Sequence, residues 1–153
     1  MRASTYSPWP TYARVPPFLP LALRGRRDGW SAARQVRFIG MLAQTGFVAA
    51  AARDVGMSRM AAYRLRRRAA DESSFAHAWD AVIAMRAGAD VQPKRKVTPE
   101  ELREWAMRGP YCIIMRRGRF VRAQRKPSSS ALLRLLSQYD RSSAGDIIEG
   151  LEW

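Results

Sequence analysis

The chain has 153 residues, 47% of them hydrophobic, which is enough for one modest domain or two very small ones. It carries 27 Lys and Arg residues against 13 Asp and Glu residues, a formal net charge of +14 that attracts polyanions. Cys112 is the only cysteine, so an intrachain disulfide is excluded. No apolar run reaches the length of a membrane span, and we expect a soluble, cytoplasmic protein without a membrane partner.

Residues 1–29 are rich in proline and end in a basic cluster. Because proline fixes φ and removes a backbone donor, a long helix is excluded there, and we interpret residues 1–29 as an extended arm. For residues 1–20 the composition favours a solvated leader. For Arg24, Arg26 and Arg27, a solvated leader and an arm that contacts phosphates are equally favoured.

Four helices are predicted between residues 30 and 88. Ser31 is placed to cap a helix that runs through about Thr45, with apolar side chains at helical spacing. A short alanine-rich helix over 48–55 follows, then a helix capped by Ser58 that ends near Arg68, and a fourth from about Ser74 to Arg86.

A basic linker over residues 89–97 leads to a second predicted unit over 98–153. Thr98 and Pro99 begin a helix, and strands over 111–115 and 120–124 flank a turn with Gly118. After Pro127 comes a helix whose apolar residues Leu132, Leu135, Leu136 and Tyr139 recur at helical spacing, and a further short helix at the tail. The predicted fold is mainly α: an N-terminal helix-turn-helix bundle, then a small helix–β-hairpin–helix unit.

The stretch from Val48 to Arg68 fits a helix-turn-helix. Small residues are needed where the two helices cross, and Ala51 and Ala52 supply them. The turn needs a residue that tolerates positive φ, and Gly56 supplies it. The apolar residues at the helical corner are Val55, Met57, Ala62 and Leu65.

The second helix of this motif has an apolar back and a basic front. Its N-terminal end would enter the major groove, where arginine pairs with guanine edges. A solvated face is the alternative, but residues 59–68 contain no acid to pair with the arginines. Double-stranded DNA is therefore the expected partner, and the candidate contacts are Ser58, Arg59, Met60, Tyr63, Arg64, Arg66, Arg67 and Arg68.

The hairpin arginines have two possible roles, and the last helix has two possible packing partners. Arg116, Arg117 and Arg119 contact phosphates, or their charges protect an exposed strand edge from aggregation. The leucine-rich helix forms a homo-oligomer through residues 98–153, or it packs on the hairpin residues Ile113, Met115 and Val121 within a monomer.

No catalytic, metal or cofactor site is expected. His77 is the only histidine, and together with Cys112 it does not provide zinc-ligand spacing. The acidic residues lie near helix starts or on exposed faces, where they complement the helix dipole.

Residues 24–81 resemble a family of small alphaproteobacterial helix-turn-helix proteins, itself similar to phage terminase small subunits. The segments DGWSAARQ (28–35), VGMS (55–58) and AYRLRR (62–67) carry the resemblance. It implies that residues 48–68 bind DNA and that residues 98–136 support assembly. The long alanine-rich helix of that family is interrupted here by Gly88, Pro93 and Pro99, which leaves the assembly role less supported than the DNA-binding role.

The sequence thus favours a DNA-binding protein, either a transcription regulator or a subunit that recognises DNA for packaging. Two alternatives remain. The chain is an oligomeric assembly protein with non-specific nucleic-acid contact, or a basic RNA-binding protein. RNA-binding modules usually present aromatic stacking platforms, and no such pair of aromatic residues is evident.

Overall fold

The computed structural model describes residues 14–89 and 95–149, with side chains described as far as Ser143. The expectations for residues 1–13, for the middle of the linker at 90–94 and for the side chains of the tail lie outside the described residues. Within them the fold is mainly α, as predicted. Its elements are α1 (Ala32–Thr45), α2 (Val48–Asp54), α3 (Arg59–Arg68), α4 (Ser74–Arg86), α5 (Pro99–Met107), β1 (Tyr111–Arg116), β2 (Arg119–Arg125) and α6 (Ser129–Glu149).

Side-chain hydroxyl groups begin five of these helices. The capping residues Ser31, Ser58, Ser73, Thr98 and Ser128 each accept a hydrogen bond from the backbone N–H three residues later, at 3.0–3.2 Å. Each bond satisfies one of the donors that the first helical turn leaves without a partner. The predicted caps at Ser31, Ser58 and Thr98 are confirmed.

The chain divides into two compact units. The first consists of Met1–Arg95 together with Tyr111–Gln124, so it contains both the helix-turn-helix and nearly all of the hairpin. The second consists of Lys96–Pro110 together with Arg125–Trp153. The expected grouping of the hairpin with the helices of residues 98–153 is therefore wrong.

Aromatic rings fill the core of the first unit. The ring of Trp79 in α4 lies 4.8 Å from that of Phe38 in α1 and 6.1 Å from that of Phe75, measured between centroids. Phe38 in turn contacts Trp30 edge-on at 5.4 Å. Such tilted and edge-to-face arrangements are the favoured geometries of aromatic pairs. The cluster holds α1 and α4 together.

The extended segment that precedes α1 belongs to this core. Val15 and Phe18 are buried, and Phe18 packs edge-on against Phe75 at 5.9 Å. Phe18 also exchanges two backbone hydrogen bonds with Tyr111 of β1. The prediction of a solvated leader is therefore wrong for residues 14–20. Its prolines exclude a helix, but they do not prevent extended backbone from carrying apolar side chains into a core.

A buried glutamine holds the next part of this segment. The amide of Gln35 accepts a hydrogen bond from the Leu21 N–H at 2.7 Å and donates to the Leu21 carbonyl at 3.0 Å. Because Gln35 is fully buried, both halves of its amide need partners, and the extended backbone supplies them. The segment is fixed to α1 at this point.

The hairpin packs on α1. The Phe120 ring lies directly over Gly40, so closely that a Cβ atom at Gly40 would collide with it. The Gln44 side chain accepts a hydrogen bond from the Phe120 N–H at 2.9 Å, and Ile113 is buried in the same core. Arg117 and Gly118 both have positive φ, which makes the tight turn that twisted hairpins favour.

The second unit has a small core between α5 and α6. Leu102, Ala131 and Leu135 are buried there, and Trp105 packs against them. The predicted leucine-rich helix and the predicted tail helix form one helix, because α6 continues through Gly145 to Glu149. Among the described helices, none has both the length and the apolar character needed to cross a bilayer.

We predict that Phe18→Ala destabilises the first unit by about 3–5 kcal/mol, because it leaves a cavity where a fully buried ring packed. Hydrogen–deuterium exchange at α1 and α4 amides measures the opening free energy of this unit. Phe47→Ala is the matched control, since that ring is half-exposed. Equal losses in the two variants would show that residues 14–20 are not part of the core.

Candidate nucleic-acid interface

Two short helices, α2 and α3, meet through a turn over residues 55–58. Ala51, Ala52 and Ala62 are fully buried where the helices pack, so larger side chains would force them apart. Leu65 and Val55 are also buried and complete the apolar corner. The Met57 N–H donates to the Ala52 carbonyl at 2.9 Å, which closes the end of α2 and begins the turn.

Gly56 has the backbone conformation that the turn requires. Its φ is +75°, in the left-handed region that L side chains rarely adopt. No described atom lies within 4 Å of the place where its Cβ would be, so the requirement is conformational and not steric. The turn directs α3 away from α2 and leaves one face of α3 in solvent.

The exposed face of α3 carries most of the residues predicted to contact DNA. The exposed positions are Ser58, Arg59, Met60, Tyr63, Arg64, Arg67 and Arg68. The Arg59 guanidinium lies 5.7 Å from the centre of the Tyr63 ring, and that ring is 6.3 Å from Trp79. Tyr63 therefore connects the exposed face of α3 to the aromatic core. This packing restricts the orientation of the Tyr63 ring and so the position of its hydroxyl group.

Arg66 departs from this set. Its guanidinium donates to both carboxylate oxygens of Asp80, at 2.7 and 3.1 Å, and lies 3.4 Å from Asp71. Only 21% of its side chain is exposed, and the hydrogen bonds to Asp80 raise the pKa of Arg66 above its usual value. Residues 59–68 contain no acid, and the two carboxylates that bind Arg66 follow later in the chain. Arg66 joins α3 to α4, so its charge is already paired within the protein.

One basic residue of the motif, Arg53 on α2, was not among the residues predicted to contact DNA. It is exposed near the end of that helix and forms no ion pair with any carboxylate described in the structure. The next residue, Asp54, is paired with Arg37 of α1 at 2.6 Å, and this hydrogen bond raises the pKa of Arg37. In helix-turn-helix proteins the first helix lies against the DNA backbone, which makes Arg53 a phosphate-contact candidate.

The remaining candidate arginines occupy two other places on the first unit. Arg24, Arg26 and Arg27 are exposed in the loop before α1, and Arg24 and Arg26 line a cleft that Arg68 of α3 also lines. Arg116, Arg117 and Arg119 are exposed at the turn of the hairpin. No described contact joins these hairpin arginines to α3, so among these candidates Arg24 and Arg26 are the ones brought together with the helix.

His77 lies in α4 and Cys112 lies in β1. Burial raises the pKa of the Cys112 thiol, which disfavours the reactive thiolate. Over the described ranges, no three His, Cys, Asp or Glu side chains are grouped as a metal site would require.

We predict that Gly56→Val destabilises the helix-turn-helix by about 1–3 kcal/mol, because a β-branched residue is strained at positive φ. Gly56→Asn is the control, since asparagine tolerates this conformation better. Exchange rates of α2 and α3 amides measure the difference. If valine and asparagine have the same effect, backbone conformation at Gly56 is not what forms the turn.

Comparison with known proteins found no matching family model, no matching curated protein and no matching solved structure.

Proposed function

We propose that this protein binds double-stranded DNA, with α3 as the recognition helix in the major groove. The observation that carries the proposal is the division among the arginines of α3. Arg66 is held by Asp80, whereas Arg59, Arg64 and Arg67 are exposed and form no ion pair with a described acid. An exposed basic face beside a buried apolar one suits a helix that meets a polyanion.

The role within this function is either transcription regulation or recognition of DNA for packaging. We propose that residues 24–81 are related to the helix-turn-helix proteins, similar to phage terminase small subunits, that their sequence segments resemble, and this relationship would favour the second role. In both roles the chain binds DNA and does not catalyse a reaction, and we propose a cytoplasmic location, as is usual for DNA-binding proteins of bacteria and phages.

RNA binding and scaffold assembly are the alternatives. Phe38, Phe75 and Trp79 are buried and offer no stacking surface, whereas Phe47 and Tyr63 are exposed, so DNA and single-stranded RNA are distinguished by experiment. A scaffold with non-specific nucleic-acid contact would bind all sequences equally, which separates it from the proposed function by experiment.

We also propose that the protein self-associates through α6. This helix has 21 residues and α5 has 9, so α5 covers less than half of it. Leu132, Leu133, Leu136 and Tyr139 remain exposed. The alternative to self-association is that α6 packs on Ile113, Met115 and Val121 of the hairpin within a monomer. However, Ile113 and Met115 pack in the core of the first unit, and Val121 is exposed. Dimers are common among helix-turn-helix proteins, because one recognition helix reads few base pairs.

We predict duplex binding that is tight at low salt and weakens steeply as salt rises. Each phosphate contact contributes about −0.9 to the slope of log affinity against log salt, so three contacts give roughly a 40-fold loss for a fourfold rise in salt. Fluorescence anisotropy with a labelled duplex measures the slope, and single-stranded RNA of equal length is the comparison. No duplex binding at low salt would disprove the proposed function, and tighter RNA binding would favour the RNA alternative.

Arg59→Ala and Arg64→Ala are expected to reduce discrimination between DNA sites by about 1–3 kcal/mol, as expected when an arginine that reads a base edge is removed. Arg67→Ala should weaken binding to all sequences evenly. Arg66→Gln is the control, because its charge is already paired with Asp80. Selection of bound duplexes from a random pool gives the preferred site of each variant. A preferred site and affinity unchanged in both Arg59→Ala and Arg64→Ala would rule out α3 as the recognition helix.

For self-association we predict that the full chain is dimeric or larger at micromolar concentration and that Leu133→Lys/Leu136→Lys makes it monomeric. Val121→Lys is the matched control, since Val121 is 54% exposed on the hairpin and Leu133 is 68% exposed on α6. Light scattering over a concentration series measures the mass. A wild-type chain that stays monomeric with and without DNA contradicts this proposal and leaves DNA binding intact.

A further inference from the structure

The loop before α1 and the end of α3 form the walls of a cleft of about 470 Å³. Arg24 and Arg26 line it from the loop, Arg68 lines it from the last turn of α3, and Trp30 also lines it. The cleft lies entirely within the first unit. It brings together arginines that are more than 40 positions apart in the sequence.

The charge of this cleft is uncompensated. All of its lining residues are described, and none is acidic. Asp28, the acid nearest in sequence, is exposed and does not line it. None of the three arginines forms an ion pair with a carboxylate in the described ranges. Arginine at the end of a helix complements the helix dipole, which accounts for Arg68 alone but not for Arg24 and Arg26 beside it.

The loop is held in place without using its arginine side chains. The Arg34 guanidinium donates to the Gly29 carbonyl at 2.9 Å, and Gln35 holds Leu21 on the other side of the loop. The Gly29 N–H donates to the Arg26 carbonyl at 2.9 Å, which closes a turn. The cleft is thus formed before any ligand arrives, which reduces the entropy lost on binding.

The position of the cleft suits a phosphate at the edge of a groove. The ten residues of α3 span about 15 Å, at roughly 1.5 Å per residue, and the major groove is about 12 Å wide. A recognition helix that reads bases with its N-terminal turn therefore reaches the sugar-phosphate backbone with its last turn. Arg68 and the cleft lie at that end.

We propose that this cleft binds one backbone phosphodiester of duplex DNA that flanks the bases read by α3. Arg24, Arg26 and Arg68 are its donors, since guanidinium groups match the geometry of phosphate oxygens. The inference rests on the proposed function, and it adds a defined contact that fixes how α3 is placed along the DNA.

The test combines protein and DNA substitutions in the full-length chain. Duplexes of the selected site are prepared with a neutral methylphosphonate at one flanking position at a time. The proteins are the wild type, Arg24→Gln/Arg26→Gln, Arg68→Gln and the charge-matched control Arg108→Gln/Arg134→Gln, whose residues are exposed in the second unit. Circular dichroism and amide exchange verify that each variant is folded.

We expect one flanking position at which the methylphosphonate weakens the wild type and the control several-fold but does not further weaken either cleft variant. The salt slope of both cleft variants should be shallower than that of the wild type by about 1, because the three arginines share one phosphate. Their preferred DNA site should be unchanged.

Three results would overturn the proposal. The first is a methylphosphonate effect of equal size in the wild type and the cleft variants at every position. The second is that the two cleft variants become insensitive to the methylphosphonate at different positions, since their arginines would then contact different phosphates. The third combines two observations. The wild type, but not the cleft variants, binds inorganic phosphate saturably in the absence of DNA, and the methylphosphonate weakens all the proteins equally. This result would assign the cleft to a free anion. Absence of all duplex binding would disprove both this inference and the proposed function.

Discussion

The packing of Trp79 is the constraint on which the geometry of the first unit depends. Its ring contacts Phe38 from α1, Phe75 from its own helix and Tyr63 from α3. A single side chain therefore determines how far α3 stands from the rest of the core. Because aromatic rings bury large apolar areas with few rotatable bonds, this contact is rigid, and the outer face of α3 is held in a constant direction.

Two neighbouring arginines of α3 show how position on a helix decides the role of a charge. Arg66 and Arg67 are chemically identical, but a rotation of about 100° separates them. Arg66 faces α4 and meets Asp80, so its charge joins two helices. Arg67 faces solvent and keeps its charge available. The net charge of the chain therefore overstates what a polyanion meets, and the distribution of charge over the surface carries more information.

The features that the sequence predicted well depend on short-range physics. The serine and threonine caps, the positive φ at Gly56 and the buried alanines of α2 and α3 involve residues that are close in the chain or share one motif. The features it missed depend on partners that are distant. Nothing in residues 14–20 indicates that Phe18 meets Tyr111, and nothing in residues 59–68 indicates the acid that binds Arg66. Gly40 is the one local indication of where the hairpin packs on α1, since a glycine inside a helix allows another element to approach closely.

The path of the chain through its two units has a consequence for how the protein is made. The chain leaves the first unit after Arg95, returns for the hairpin and leaves again after Gln124. Phe120 and its partner Gln44 are separated by 76 positions. During synthesis, α1 therefore lacks this packing partner until the hairpin has been made. At about 5–20 residues per second, the thirty or so residues between Arg95 and Gln124 take roughly 2–6 s to appear. During that interval the helix-turn-helix is complete in sequence, while the apolar surface around Gly40 is still open to water and to other nascent chains.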